Sequence, residues 1–275
     1  MNKKKLLQIM TETALTSTGN TFKNTYRFYD PPIIGFADAD DQLFQEMKKD
    51  EIIGDIYRLP KEWLPEATTV ISYFLPFTTE VRHSNHEPGL ASIEWLHARF
   101  PGEEFNNQMR RIVIKELENA GGKALAPMLE PEMVIDYNIY ASNWSERHAA
   151  YIAGLGTFSL NAALITEKGM SGRFGSVITN LKFDPTPRSY SHPFAHCPQT
   201  NDGKCGACIQ RCPVNAITKE GKDKAKCHYY LFTDNPLQDT NKEFGYPYSA
   251  CGKCQSNVPC ESSIPGERFY PKSNS

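Results

Sequence analysis

An α+β chain in two unequal parts is predicted by three features of the sequence. Helix-like and strand-like segments are interspersed through the first two thirds, and all eight cysteines fall at or after Cys197. The composition is that of an ordinary folded protein: 275 residues, 40% hydrophobic and 11% aromatic, enough for one large domain with a small appendage. Such content argues against global disorder. Thirty Lys+Arg against 32 Asp+Glu give a net charge of −2, so no general electrostatic pull towards nucleic acid exists, although a local basic patch is compatible with it. No apolar run reaches the roughly 18 residues of a membrane span. The Lys3-Lys4-Lys5-Leu6-Leu7 start lacks the apolar core and cleavage site of a secretory leader. The expected location is the cytoplasm.

The elements follow in order. Residues 4–16 read as an amphipathic helix, and Pro31-Pro32 then breaks the chain. The β-branched and aromatic run 68–75, bounded by Pro65 and Pro76, reads as a buried strand. The polar stretch 81–101 carries His83, His86 and His97 without tight ligand spacing and is expected to be a loop or short helix over a surface, with a metal site the alternative. In 104–120 the apolar residues Phe105, Met109, Ile112, Val113 and Leu117 recur at helical spacing, and Gly121-Gly122 ends that helix. Asn143-Trp144-Ser145-Glu146 has the form of a capping box starting a helix to about residue 153, which stops at Gly154-Leu155-Gly156. Strand-like segments 163–166 and 174–183 follow. A boundary is expected near Pro185, Pro187 and Pro193, giving units 1–190 and 191–275.

Cysteine spacing carries the chemistry. Cys205-Gly-Ala-Cys208-Ile-Gln-Arg-Cys212-Pro213 is the latter part of the bacterial ferredoxin run, in which the Cys before Pro ligates the other cluster. Cys197 supplies a leading ligand across a longer loop, and Cys227, Cys251-Gly-Lys-Cys254 and Cys260 follow. The interleaved rule assigns Cys197, Cys205, Cys208 and Cys260 to one [4Fe–4S] cluster. Cys212, Cys227, Cys251 and Cys254 go to a second. Two four-cysteine zinc sites are the alternative. His196 and His228, beside Cys197 and Cys227, are placed to hydrogen-bond cluster sulfurs.

The stretch 142–161 (SNWSERHAAYIAGLGTFSLN), with Leu164-Ile165-Thr166 and Gly172-Arg173-Phe174-Gly175-Ser176-Val177-Ile178-Thr179, resembles the cobalamin-dependent epoxyqueuosine reductases and their reductive dehalogenase relatives. A dicluster ferredoxin-like module with the same eight-cysteine order follows it. The resemblance covers nearly the whole chain. It implies a nitroreductase-like cobalamin domain and a base-off corrinoid close to the clusters. Electrons from an external low-potential donor such as a ferredoxin or flavodoxin would pass through the clusters to reduce Co(II) to Co(I). It further implies corrinoid contact at Gly154, Leu155, Gly156, Thr157, Phe158 and Asn161. Spacing and composition do not themselves show cobalamin, and no Asp-x-His-x-x-Gly corrinoid motif is present.

Two departures from those proteins matter. An ungapped count back from Ala153 puts Tyr140 where the epoxyqueuosine reductases carry an Asp proton donor. Tyr140 is the expected donor, with Asp136 the alternative if the loop holds an insertion. A packed aromatic is the plain structural reading of Tyr140. Only the stretch to Ser275 follows Cys260, where many epoxyqueuosine reductases continue into a helical-repeat region that helps to hold tRNA. This short form and the charge balance argue against a tRNA substrate. Glu146, Arg147 and His148 look like a catalytic cluster, but adjacent helix positions do not share a face, so at most two of them reach one site. The expected function is reduction of a small organic or modified-nucleoside substrate. The alternatives are an electron-transfer protein serving another corrinoid enzyme, and tRNA epoxyqueuosine reduction.

Overall fold

The structure, a computed structural model, describes residues 1–266. Its centre is the strand β2, Thr69–Pro76, buried along its whole length. β1 (Ile33–Asp38) pairs antiparallel on one side, from Ile33 opposite Phe74 to Asp38 opposite Thr69. A short strand β3 (Ala124–Leu125) edges β4 (Gly172–Thr179), which pairs antiparallel with the other side of β2 from Gly172 opposite Pro76 to Thr179 opposite Thr69. The order is β1-β2-β4-β3.

The sheet is covered on both faces, which is why the run 69–76 reads as continuously apolar rather than alternating. Ile71, Tyr73 and Leu75 join Phe36 and Val177 in a core with two helices, α1 (Lys3–Thr16) and the long α3. α1 buries Leu6, Met10 and Ala14, four residues apart, and the Asn2 side chain accepts the Lys5 N–H at its start. Helix α2 (Ile93–Arg99) leads through Phe100 into α3 (Pro101–Asn119), which presents Phe105, Met109, Val113 and Leu117 to the same core. α3 ends at Gly121, whose φ of +85° suits glycine. On the opposite face Val70, Ala37 and Ile178 pack with Phe44, Trp144 and the helix α4, Glu146–Ile152.

Two expectations need correction. The short helices expected in this stretch are present, Thr79–Ser84 and Ile93–Arg99, but it does not lie over a surface: Trp95, Leu96 and Ala98 of α2 are core residues, and His97 is buried on Phe22 with a ring separation of 3.5 Å. The capping box at α4 does not form. Ser145 occupies the cap without a side-chain bond to the helix backbone, Asn143 instead ties the carbonyl of Glu132 and the N–H of Val134, and Glu146 turns inward to Arg110. The Asn143 N–H that a capping box would offer to Glu146 donates instead to the Val134 carbonyl, and the charged guanidinium holds the carboxylate strongly.

The cysteine-rich segment has little regular structure: helices Pro198–Asp202, Ala207–Gln210, α5 (Lys224–Tyr229) and Gln238–Phe244, a π-helical turn Tyr230–Asp234, and one small hairpin, Ile217–Thr218 with Gly221–Lys222. It is clamped to the larger part by polar bonds. The Arg211 guanidinium donates to the carbonyls of Lys253, His86 and Asn85, and Lys253, only 2% exposed, donates Nζ to Asn85 and Glu87. Asn85 and Asn161 donate to the carbonyls of Cys251 and Cys254. Among the described residues no helix is long and apolar enough to cross a membrane.

Candidate active site

The eight cysteines, none of them in a disulfide, separate into two quartets. Cys197, Cys205, Cys208 and Cys260 line one small pocket with Asn161 and Met170. Cys212, Cys227, Cys251 and Cys254 line a much larger cleft. Cys212 therefore leaves its sequence neighbours, and Cys260 returns to the first three. Electrostatics follow the division at Cys260 and Cys251 but cross it at Cys208. Burial pushes the Cys260 thiol up, and the charges of Cys197, Cys208 and Cys205 push it further. Cys251 is pushed up to about 12 by burial, with Cys254, Cys227 and Cys212 adding to the rise and a backbone N–H of Lys253 opposing it. Cys208, raised to about 12 by burial, also senses Cys254, so the quartets lie within electrostatic reach of one another.

These buried thiols favour the neutral form on their own, and a metal reverses that preference by deprotonating its ligands. Among the described residues no three His, Cys, Asp or Glu side chains converge tightly enough to hold a single metal ion. Each quartet rings a volume instead, as a cube with an iron at each of four corners requires. The residues present fit two such clusters.

The cleft encloses about 590 Å³ between the sheet domain and the cysteine-rich segment, within the range of small-molecule and cofactor sites. Its floor is a buried polar network. Arg110, 1% exposed, donates to Glu103 at 2.9 Å, Glu146 at 3.1 Å and the Phe174 carbonyl at 3.2 Å. Trp144 donates its indole N–H to Ser176 Oγ at 2.9 Å, and that hydroxyl donates to Glu146. Burial raises the Glu146 carboxyl while Arg110 and Ser176 pull it down. The opposite wall is an aromatic stack, with His228 on Phe232 at 4.2 Å and Phe232 on Tyr248 at 4.1 Å.

No family model matches the chain. In sequence it is 28% identical over 222 residues to an epoxyqueuosine reductase of Francisella cf. novicida (strain Fx1), across 75% of this chain and 56% of that protein. It spans about half the length of the curated relatives it matches. In structure it superposes on a crystallised epoxyqueuosine reductase with a TM-score of 0.58 at 17% identity, over 94% of this chain and 65% of that one. A reductive dehalogenase solved with 3-bromo-4-hydroxybenzoic acid gives 0.52 at 16% identity, over 97% and 37%. This is the epoxyqueuosine reductase and reductive dehalogenase fold.

On that fold the expected site residues are distributed unevenly. The eight cysteines gather as the two quartets. None of the six residues of segment 154–161 expected at a corrinoid lines the cleft. Gly154 has φ +80° and turns the chain out of α4, and a Cβ on Gly156 would sit 2.1 Å from the Ile165 carbonyl oxygen. Leu155 is buried against Gly35. Thr157 Oγ1 accepts the N–H of His196, Phe158 packs near His148 and Tyr151, and Asn161 reaches the Cys254 carbonyl from the first cysteine pocket. The His196 ring meets the Ile165 carbonyl at 3.1 Å. This segment backs the cysteine-rich part rather than facing the cleft.

Tyr140 and Asp136 share one hairpin, Ile135–Asp136 with Ala141–Ser142, whose loop reaches the cysteine-rich segment. Tyr140 holds φ +52° and sets its ring 5.5 Å from His228, and Asp136 accepts the Asn138 N–H. Neither lines the cleft, whereas Ile135, Tyr137 and Ser142 of the same hairpin do. Of the trio on α4, Glu146 and Arg147 line the cleft. His148 turns away to Ser145, with its pKa lowered to about 3 by burial and then by Arg147 and Lys224. Sequence reasoning missed Tyr137, Glu103 and Arg173 as cleft residues. An arginine inside the otherwise uncharged β4 was the available signal for the last.

Proposed function

We propose that the chain is an iron–sulfur- and corrinoid-dependent reductase of a small organic or modified-nucleoside substrate, acting in the cytoplasm with an external low-potential electron donor such as a ferredoxin or flavodoxin. One observation carries the proposal: one cysteine quartet opens into a cofactor-sized cleft, and the other lies behind it within electrostatic reach. The names of its relatives support the same class. In this reading residues 1–190 bind the corrinoid and residues 191–275 carry the clusters, with residues 267–275 outside the described part.

When bound, the two clusters carry single electrons and the corrinoid supplies strongly reducing cobalt. The chain's own residues do the rest. Cys197, Cys205, Cys208 and Cys260 hold the outer cluster, and Cys212, Cys227, Cys251 and Cys254 hold the one beside the cleft. Trp144, Phe174 and the Phe232–Tyr248 stack supply dry apolar walls, which strengthen polar contacts inside. Arg110 keeps Glu146 and Glu103 fixed. The proton donor in this reading is Tyr140 or Asp136 of the 135–142 hairpin, whose Ile135, Tyr137 and Ser142 line the cleft. Segment 154–161 fixes the first cluster pocket through Asn161 and Thr157. Epoxyqueuosine within tRNA is a second reading, favoured by the relatives' names and by one solved with an epoxyqueuosine-modified tRNA stem loop.

Anaerobic reconstitution with iron, sulfide and cob(II)alamin, followed by EPR, tests the proposal. About eight irons per chain and a base-off Co(II) signal kept after desalting are expected. Two clusters with only free, base-on cobalamin would make the chain an electron carrier, and zinc in place of iron would overturn both readings. Gel-shift with an epoxyqueuosine-modified stem loop separates the tRNA reading from the small-molecule one.

A further inference from the structure

A thin apolar layer separates the two cysteine quartets. Leu160, Ala163, Ile165, Met170, Ile217 and Val258 pack together with Cys197. Ala163 and Ile217 face the cleft, and Val258 faces the small pocket of Cys197, Cys205, Cys208 and Cys260. Among the described residues only Met170 lines both. It is 2% exposed, whereas Tyr137 in the cleft lining is 50% exposed, so water reaches the cleft but not the layer.

Backbone and side chain both fix Met170 in this place. Its N–H donates to the carbonyls of Cys260 at 3.0 Å and Glu261 at 3.2 Å, and the N–H of Ser171 donates to Glu261 at 3.1 Å. Its sulfur stands 3.9 Å from Cys260 Sγ and 3.6 Å from the Asn161 amide nitrogen. That same amide donates to the Cys254 carbonyl at 2.6 Å, so Asn161 and Met170 together reach from a cysteine of one quartet to a cysteine of the other. An unbranched thioether fills an irregular gap and is at best a weak acceptor. It offers Cys260 no N–H, unlike Ala216 in the cleft, whose N–H donates to Cys212 Sγ at 3.1 Å. Water and hydrogen-bond donors beside a cluster stabilise its reduced, more negative state and raise its potential. A gap at Met170 would admit cleft water to the outer cluster from the Cys260 side.

We propose that Met170 is the partition between the cleft and the outer cluster site, keeping cleft water off that cluster. The effect on a cluster rests on the reductase reading; the partition between the two cavities does not. Met170 touches no substrate in this account and acts by exclusion, as a positioning residue for the outer quartet.

The test is a redox titration of the cluster-reconstituted chain followed by EPR, in wild type, Met170→Ala and the volume-conserving Met170→Leu. The outer cluster is the one whose signal Cys260→Ser lacks. Met170→Ala should favour its reduction about tenfold, ~59 mV for a one-electron couple, and leave the cleft-side cluster unchanged. Met170→Leu should match wild type, because it restores the wall without the sulfur. After exchange into heavy water, pulsed EPR should find more deuterons coupled to the outer cluster in Met170→Ala than in the other two chains. Loss of packing alone would cost stability or iron and move neither reading. Met170→Val, a smaller truncation, takes its place should Met170→Ala fail to hold clusters. An outer cluster alike in wild type and the truncated variant overturns the partition, as does an equal shift in Met170→Leu, which would assign the effect to the sulfur. If wild type takes up no iron, the reductase reading fails, and the partition is read instead from alkylation of Cys260 followed by mass spectrometry. Met170→Ala should then speed that alkylation about tenfold and Met170→Leu should not, since access governs thiol reactivity. Equal rates in all three chains overturn it.

Discussion

His97 shows how a single buried side chain writes itself into the stability of the whole chain. It is 3% exposed, stacked on Phe22, with Nδ1 bonded to the Tyr26 hydroxyl at 2.7 Å and a buried Nε2 that has no partner. The charged form is costly there, and burial lowers its pKa to about 4. An unfolded histidine takes its proton near pH 6.5. Between about pH 6.5 and 4 the unfolded chain therefore binds a proton that the folded chain refuses, and stability falls as the pH drops through that window. Urea unfolding of wild type and His97→Gln at pH 7, 6 and 5 checks this. The wild-type stability should fall more than the variant's by about 0.7 kcal/mol from pH 7 to 6 and by about 1.1 kcal/mol from pH 6 to 5, and parallel curves would show that His97 titrates as in water. At this scale the sequence was informative where one residue type has one use. The C-x2-C-x3-C-P spacing singled out cysteines that the structure divides between two quartets, whereas Arg110 was indistinguishable from a surface arginine until the fold brought Glu103 and Glu146 to it.

Among the elements, the 135–142 hairpin carries the proton question. Its loop sets Tyr140 in the left-handed region, which a bulky residue adopts only under constraint, and such strain gathers at working loops. The ring is held on His228 and the backbone carbonyl by Lys224 at 3.4 Å, so the loop is pinned to the cysteine-rich segment. If Tyr140 delivers the proton, Tyr140→Phe should lower turnover by about 10²–10⁴-fold while the EPR signals stay unchanged. Turnover near wild type would pass the role to Asp136, and Asp136→Asn should then show the loss. Element positions were legible wherever local pattern matched global packing. α1, α3 and β2 lie within a few residues of their expected limits because each carries one apolar face or a fully apolar run. The start of α4 was misread because its capping signature was real in sequence but Glu146 is claimed by Arg110, a partner from a different helix.

For the whole molecule the consequential feature is that the cysteine quartets are interleaved in sequence, so neither belongs to one half of the cysteine-rich segment. Cys260 closes the pocket of Cys197, Cys205 and Cys208 from the far end of the described chain, and Cys212, only four positions beyond Cys208, serves the cleft. A sequential arrangement would instead pair Cys212 with Cys197, Cys205 and Cys208, leaving Cys260 with the other three. The two arrangements make opposite forecasts for one pair of variants. In the interleaved structure Cys260→Ser should remove about four irons from the outer pocket and leave the cleft-side cluster, so any base-off cobalt signal and its coupling to a neighbouring cluster persist. Cys212→Ser should remove the same number of irons but take the cleft-side cluster, and the coupling with it. Iron analysis alone cannot tell the variants apart; the EPR of the chain reconstituted with cob(II)alamin can. If Cys260→Ser is the variant that loses coupling, the quartets are exchanged, and the electron route through the cleft must begin from the other pocket.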